Sequence, residues 1–88
     1  MNRHLTETEL RQRLARAARE VSIGELYQHY KGGLYRVTDL AILESTNEVC
    51  VVYQAQYGER LSFIRPVSVW SEVVEYEGKN TARFTRSI

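Results

Sequence analysis

The chain has 88 residues and a mass of 10.3 kDa, enough for one small domain. Its 43% hydrophobic and 26% charged residues are typical of a globular protein and exclude a wholly disordered chain. Twelve Lys and Arg against eleven Asp and Glu leave a net charge of +1, so no strong field favours nucleic acid or an anionic membrane. A single cysteine excludes an internal disulfide, and no leader-like or membrane-spanning run occurs. We therefore expect a cytoplasmic protein with no membrane association.

Residues 1–23 are predicted to form an N-terminal helical extension. Thr6 and Glu9 have the spacing of a capping box, in which each side chain accepts a hydrogen bond from the other's backbone amide. Apolar residues then recur at helical spacing: Leu10, Leu14, Ala17 and Val21. The arginines are spread around the whole polar face, which favours a solvated surface over a nucleic-acid contact. The apolar stripe needs a partner, either the rest of the chain or the same helix of a second copy in a homodimer.

In residues 24–88 the apolar residues recur with a period of two, and this part of the chain is predicted to form a small β-barrel domain. All six tyrosines, both phenylalanines and the tryptophan lie in this part, where aromatic residues favour strands. Strands are predicted at 26–31, 34–43, 49–57, 61–65, 73–77 and 81–86, with a helical turn within 67–72 and a hairpin turn at 78–80. Five or six short antiparallel strands favour a mainly β fold, a closed or half-closed barrel with one N-terminal α-helix.

No catalytic or metal-binding pattern is visible. Cys50 lies between two valines, which favours a packed thiol over a nucleophile. His4 and His29 lack the spacing of a metal-binding pair, and Gly32-Gly33 lacks the spacing of a phosphate-binding loop. No serine lies in a nucleophile elbow. We therefore predict no metal, no cofactor and no catalytic residue, in a protein that is not an enzyme.

Aromatic and basic residues interleave on the predicted strands, and we interpret them as the lining of a ligand-binding groove. The candidate residues are Tyr27, His29, Tyr30, Lys31, Tyr53, Tyr57, Arg65 and Arg83. Aromatic rings beside cations can hold a nucleobase, a methylated ammonium group or a peptide. The structural alternative is that the rings fill the core, while the two arginines pair with an internal carboxylate such as Glu72, Glu75 or Asp39.

An ordered set of short segments covers about residues 24–85. It consists of Tyr27-Gln28-His29-Tyr30-Lys31-Gly32, Leu34-Tyr35-Arg36-Val37, Val51-Val52-Tyr53, Tyr57-Gly58, Arg65-Pro66, Val73, Gly78-Lys79 and Arg83-Phe84. This set resembles the small bacterial family called domain of unknown function 1653. The resemblance implies an SH3-like barrel and no established activity. The N-terminal helix lies outside the resemblance.

The sequence departs from that family at several positions. Leu43 stands where the family commonly has a histidine, and Ala82 stands where it commonly has proline. Phe63-Ile64 replaces a Trp-Val pair, and Val69-Trp70 replaces Met-Phe. A polar site that used the loop histidine would therefore be absent from this chain.

From these observations we predict a non-enzymatic binding or interaction module for an unidentified protein, peptide or small-molecule ligand. Binding of nucleic acid or a nucleotide is the first alternative. Seven basic and eight acidic side chains in residues 24–88 count against it, because grooves for nucleic acid concentrate cations. A second alternative is enzymatic action on a small molecule. A third is an assembly role, in which the N-terminal helix joins copies of the chain or a partner protein.

Overall fold

The computed structural model describes residues 5–87. In chain order the elements are α1 (Glu7–Glu20), β1 (Leu26–His29), β2 (Leu34–Leu43), β3 (Glu48–Ala55), β4 (Ser62–Pro66), α2 (Val67–Trp70), β5 (Val73–Tyr76), β6 (Lys79–Ala82) and β7 (Phe84–Arg86). Five strands form an antiparallel sheet in the order β4-β3-β2-β1-β7, and β5 pairs with β6 in a second sheet. Neither helix in this part of the chain has the length and apolar character of a membrane span.

Helix α1 begins at the predicted capping box. The Thr6 hydroxyl accepts from the Glu9 amide at 3.1 Å, and the Glu9 carboxylate accepts from the Thr6 amide at 3.0 Å. Ala17 and Val21 are buried on the apolar stripe, and the helix lies against β2 and β3. The stripe therefore finds its partner within the chain, which stabilises a helix too short to persist alone in water.

Strand β2 coincides with the predicted strand at 34–43 and carries a β-bulge. The register against β3 shifts between Val37 and Asp39, which leaves Thr38 as the extra residue. Its hydroxyl donates to the Val52 carbonyl at 3.2 Å and so bridges the interrupted ladder. A bulge increases the local twist of a strand, and this one lies in a strand against which α1 packs.

The single strand predicted at 81–86 is wrong, because the chain changes sheets at Arg83. The Arg83 amide donates to the Glu72 carbonyl at 3.1 Å, and the Arg83 carbonyl accepts from the Tyr30 amide at 2.9 Å. Residues before Arg83 pair with β5, whereas those after it pair with β1. One predicted strand thus becomes β6 and β7, and the strand count rises to seven.

The β5–β6 hairpin turns one residue earlier than the predicted 78–80. Tyr76 pairs with Lys79, so the two-residue loop is Glu77-Gly78. Both residues have positive φ, 52° and 79°. This is the conformation of a type I′ turn, whose twist matches that of the flanking strands.

The hydrophobic core lies between α1, α2 and the five-stranded sheet. Its buried members are Ala17, Val21, Tyr27, Val37, Leu40, Val51, Tyr53, Trp70 and Phe84. The mainly β fold with an N-terminal helix is confirmed. The sheets are open, with β4 and β7 as the edges of the larger one, so the SH3-like barrel stays a prediction.

Candidate functional site

Six of the eight predicted site residues meet at one end of the five-stranded sheet. With Phe84 they form what we call the aromatic–basic cluster: His29, Tyr30, Lys31, Tyr53, Arg65, Arg83 and Phe84. Three strands of this sheet position it, since β1 supplies His29 and the two edge strands β4 and β7 supply Arg65 and Phe84. The imidazole of His29 lies 4.5 Å from the Tyr30 ring and 5.0 Å from the Phe84 ring, measured between centroids.

Arg65 is fixed in the cluster by two neutral groups. Its Nε donates to the Tyr53 hydroxyl at 3.1 Å, and its guanidinium carbon lies 5.7 Å from the centre of the Phe84 ring. Among residues 5–87, the ion pairs join Arg83 to Glu72 and Arg86 to Glu25, and none involves Arg65. In the described part of the chain, the Arg65 guanidinium therefore contacts a hydroxyl and an aromatic face and has no counter-ion.

Arg83 is partly buried, and only some of its hydrogen-bond donors have partners. One terminal nitrogen contacts a Glu72 carboxylate oxygen at 3.1 Å, with the two side chains 18% and 52% exposed. Glu72 is one of the internal partners predicted from sequence. The Arg83 Nε is buried and donates to no group in the described part of the chain. Burying such a donor unpaired costs free energy.

His29 reports how strongly positive this end of the sheet is. Its pKa is lowered from 6.5 by burial and then by the charges of Arg65, Arg83 and Lys31. Its Nδ1 accepts from the Lys31 amide at 3.1 Å, which places the proton of the neutral ring on Nε2. Burial and the charges of Arg65, Arg83 and Lys31 thus favour the neutral imidazole.

The other tyrosines of the prediction have different surroundings. Tyr27 is buried in the core, where its hydroxyl accepts from the Ser22 amide at 2.9 Å and its ring meets the edge of Trp70. Tyr57 is half exposed beyond the end of β3, and its hydroxyl shares a 2.5 Å hydrogen bond with that of Tyr35. This bond, together with burial, raises the pKa of Tyr35 to about 12. Neither tyrosine contacts the charged members of the cluster.

The prediction omitted Phe84, a member of the cluster, and four aromatic residues that support or flank it: Tyr35, Phe63, Trp70 and Tyr76. Trp70 stacks on Phe84 at 3.7 Å with nearly parallel planes, which buries one face of the ring that Arg65 covers. Tyr76, from the separate hairpin, meets the edge of Tyr30 at 5.1 Å. No local pattern marks these contacts, because each joins elements far apart in the chain.

Two recessed surfaces lie along α1. A groove of about 310 Å³ is lined by Arg13, Arg16, Ala17, Glu20, Val49 and Val67. A second one, of about 260 Å³, is lined by Gln12, Ala15, Arg16 and Arg19. Neither includes a predicted site residue. Within residues 5–87, no group of three or more His, Cys, Asp or Glu side chains is placed to hold a metal ion.

Comparisons with known proteins bear on the β part of the chain. A family model described as "Protein of unknown function (DUF1653)" matches residues 25–86, which include the whole cluster and exclude α1. Among solved structures, a Bordetella bronchiseptica protein described as belonging to that family is similar, with 31% sequence identity and a TM-score of 0.65. The match covers 74% of this chain and 86% of that one. No curated protein matches.

Proposed function

The chain belongs to the DUF1653 family of proteins of unknown function, and we propose from its site that it is a non-enzymatic binding module for an anionic ligand. The aromatic–basic cluster is the binding surface. The ligand chemistry is a phosphate or carboxylate group, on a molecule whose remaining atoms contact the neighbouring rings. The observation that carries the proposal is the guanidinium of Arg65, held over Phe84 without a counter-ion among residues 5–87.

The charge balance of the cluster supports an anion. Lys31 lies 5.7 Å from the centre of the Tyr30 ring, so its ammonium, like the guanidinium of Arg65, faces an aromatic group. Arg83 shares its charge with Glu72, which is half exposed. Positive charge thus exceeds negative charge at this end of the sheet. Arginine binds phosphate and carboxylate through short, charge-assisted hydrogen bonds, which gives such a surface its preference.

The aromatic members support a ligand that carries more than a bare anion. Tyr30 and Tyr76 meet edge to face, and Tyr76 is 39% exposed. A planar group bound beside Arg65 could contact these rings. In proteins that bind single-stranded nucleic acid, each base stacked on an aromatic ring contributes about 1–3 kcal/mol to binding. This gives an anion attached to a ring an advantage over an isolated anion.

Titration of ¹⁵N-labelled protein tests the proposal. The probes are inorganic phosphate, a nucleoside monophosphate and an acidic dipeptide, so that phosphate and carboxylate sources are compared directly. We expect saturable amide shifts confined to residues 29–31, 65 and 83–84. Arg65→Gln should weaken binding, whereas Arg11→Gln, which removes the same charge from exposed α1, should not. Shifts that fail to saturate with every probe, or equal losses in both variants, would count against the proposal.

A second candidate function is assembly through α1, which the 310 Å³ groove favours. Ala17, Val49 and Val67 give it apolar walls, and Arg13 and Arg16 give it basic ones. An acidic amphipathic segment of another protein has the complementary chemistry. In the same titration, such a peptide would shift the amides of residues 13–20 and leave those of the cluster unchanged.

A further inference from the structure

Strand β4 is an edge strand, and its ladder shows which backbone groups face outward. The Leu61 carbonyl accepts from the Ala55 amide at 2.9 Å, which makes this a hydrogen-bonded pair. Bonded residues alternate along an antiparallel ladder, so Phe63 also directs its amide and carbonyl toward β3. Ser62 and Ile64 therefore direct theirs away from the sheet. No other strand pairs with this edge among residues 5–87.

This free edge is apolar and uncharged. Leu61, Phe63 and Ile64 are 57%, 43% and 58% exposed, and residues 61–64 contain no charged side chain. Natural edge strands are usually protected from pairing by charges, prolines or bulges. Here the proline, Pro66, comes only at the end of the strand. Both the backbone and the side chains of residues 61–64 are thus suited to pairing with another strand.

We propose that β4 pairs with β4 of a second copy, antiparallel, across a two-fold axis at Phe63. In this register Ser62 lies opposite Ile64 of the partner subunit, and Ile64 lies opposite the partner's Ser62. Each of these pairs exchanges two hydrogen bonds, four in all. The two central Phe63 side chains face each other as a non-bonded pair, and Leu61 lies opposite the partner's Arg65, so no like charges meet. The second copy satisfies every outward-facing group of Ser62 and Ile64.

Pro66 favours this register over the next one along the chain. A register centred one residue later, on Ile64, would place Ser62 opposite the partner's Pro66. Pro66 has no amide, and as the residue that caps α2 it commits its carbonyl to the first turn of that helix. Of the six hydrogen bonds that this register offers, the four that involve Pro66 would then be lost and two would remain, so the axis at Phe63, with four, is favoured.

The pairing also enlarges the surface beside the aromatic–basic cluster. Phe63 and Arg65 alternate with Ile64 and so project from the same face of the sheet as Tyr53, the register partner of Phe63. The Phe63 ring lies 5.9 Å from that of Tyr53. The partner's Phe63 and Leu61 extend this face across the axis, so two clusters share one continuous sheet. The second copy thus contributes apolar contacts next to Arg65.

Sedimentation equilibrium of the full chain over a range of concentrations tests the pairing. Ile64→Pro removes one outward amide from each copy and leaves the ladder with β3 whole. We expect the dimer dissociation constant to rise about tenfold or more, with an unchanged circular dichroism spectrum. Ile64→Thr is the matched control, because it keeps the amide and a β-branched side chain, and it should still form the dimer. A wild-type chain that is monomeric at every concentration would overturn the proposal.

Oxidative cross-linking tests the register. Phe63→Cys places two thiols opposite each other at the axis, in reach of a disulfide, whereas Ile64→Cys places them opposite serine. We expect a covalent dimer from the first variant alone; the buried Cys50 is common to both. A dimer that survives Ile64→Pro, or that cross-links equally through both positions, would assign the interface to another surface such as α1.

Discussion

Arg65 and Tyr53 are diagonal neighbours across the β3–β4 ladder, and the Nε of Arg65 donates to the Tyr53 hydroxyl at 3.1 Å. In register, Tyr53 faces Phe63 and Arg65 faces Val51. The guanidinium that makes this diagonal bond also lies over the Phe84 ring. A hydroxyl on a ring that is only 5% exposed thus sets the direction of a charged group at the surface.

Removing that hydroxyl is expected to cost stability. Tyr53→Phe keeps the ring and leaves the Nε of Arg65 without its acceptor, which should lower the free energy of unfolding by about 1–2 kcal/mol. Urea denaturation measures the change. Tyr57→Phe also loses one hydroxyl hydrogen bond, but at an exposed site, and should lose much less. Equal losses in the two variants would show that the diagonal bond contributes no more to stability than the exposed bond of Tyr57.

The stability of the protein should fall in mildly acidic solution because of His29. Its pKa in the folded state is below 6.5, since burial and three nearby cations disfavour the imidazolium. The unfolded chain therefore binds the proton more tightly. The stability that neutral His29 provides is fully present above pH 6.5, and it is lost as the pH falls through the pKa of His29 in the folded state. Urea unfolding at about pH 7.5 and about pH 5 should show a smaller difference in His29→Gln than in the wild type.

The same histidine can report on its neighbours. In Arg65→Gln the NMR titration of His29 should shift upward, toward 6.5, because one of the opposing charges is gone. Arg11→Gln removes a charge of the same sign from α1 and should leave the pKa of His29 unchanged. An unchanged pKa in Arg65→Gln would mean that the arginine does not lie close to the imidazole in solution.

Ionisation of Tyr35 should depend on Tyr57. Their shared hydrogen bond is the main cause that raises the pKa of Tyr35 from 10.0 to about 12. In Tyr57→Phe that bond is lost, and the pKa of Tyr35 should move back toward 10.0. The ¹³C chemical shift of the Tyr35 ring, followed through alkaline titration, measures it. If the value stays near 12 in the variant, burial rather than the hydrogen bond controls the ionisation.

Gly33 is expected to tolerate no side chain while Tyr35 is present. A methyl group at this position would lie 2.9 Å from a carbon of the Tyr35 ring, closer than such contacts occur. Gly33→Ala should therefore destabilise the fold by about 1–3 kcal/mol, as overpacking does elsewhere. In a Tyr35→Ala background the same substitution should cost almost nothing, and the double-mutant cycle measures the difference.

The β5–β6 turn can be improved. Glu77 has φ of 52° at the first position of the type I′ turn, where asparagine is strongly preferred. Glu77→Asn should raise the free energy of unfolding by about 0.5 kcal/mol, because asparagine adopts this conformation with less strain. Glu75→Asn in the neighbouring strand is the control and should not stabilise the protein. A loss of stability in Glu77→Asn would indicate that the glutamate has an interaction of its own.

Features encoded by neighbouring residues could be predicted from the sequence. The capping box needs only Thr6 and Glu9, and β2 lies between the Gly32-Gly33 turn and a polar loop, so both were correctly placed. The division at Arg83 could not be predicted, because it depends on hydrogen bonds to Glu72 and Tyr30, which are distant in the chain.

The candidate site divides in the same way. Aromatic and basic residue types indicated which strands contribute, and six of the eight predicted residues do come together. The partners of Arg65 could not be predicted, because an arginine on a strand has carboxylates, hydroxyls and rings within reach. The diagonal register places Tyr53 within reach of Arg65, and Phe84 comes from β7, a strand that does not pair with β4. Tyr27 was predicted to line the groove but lies in the core. Nothing in the sequence around a tyrosine distinguishes a buried ring from one at the surface.

Because the chain changes sheets at Arg83, the β5–β6 hairpin can accept inserted residues without disturbing the larger sheet. The strands β5 and β6 pair only with each other in the described structure, and the Arg83 amide bonded to Glu72 closes the base of their hairpin. Residues inserted between Glu77 and Gly78 would lengthen this arm without shifting any register of the larger sheet. The hairpin tip is thus the natural point for grafting a peptide or a fluorescent reporter onto the domain.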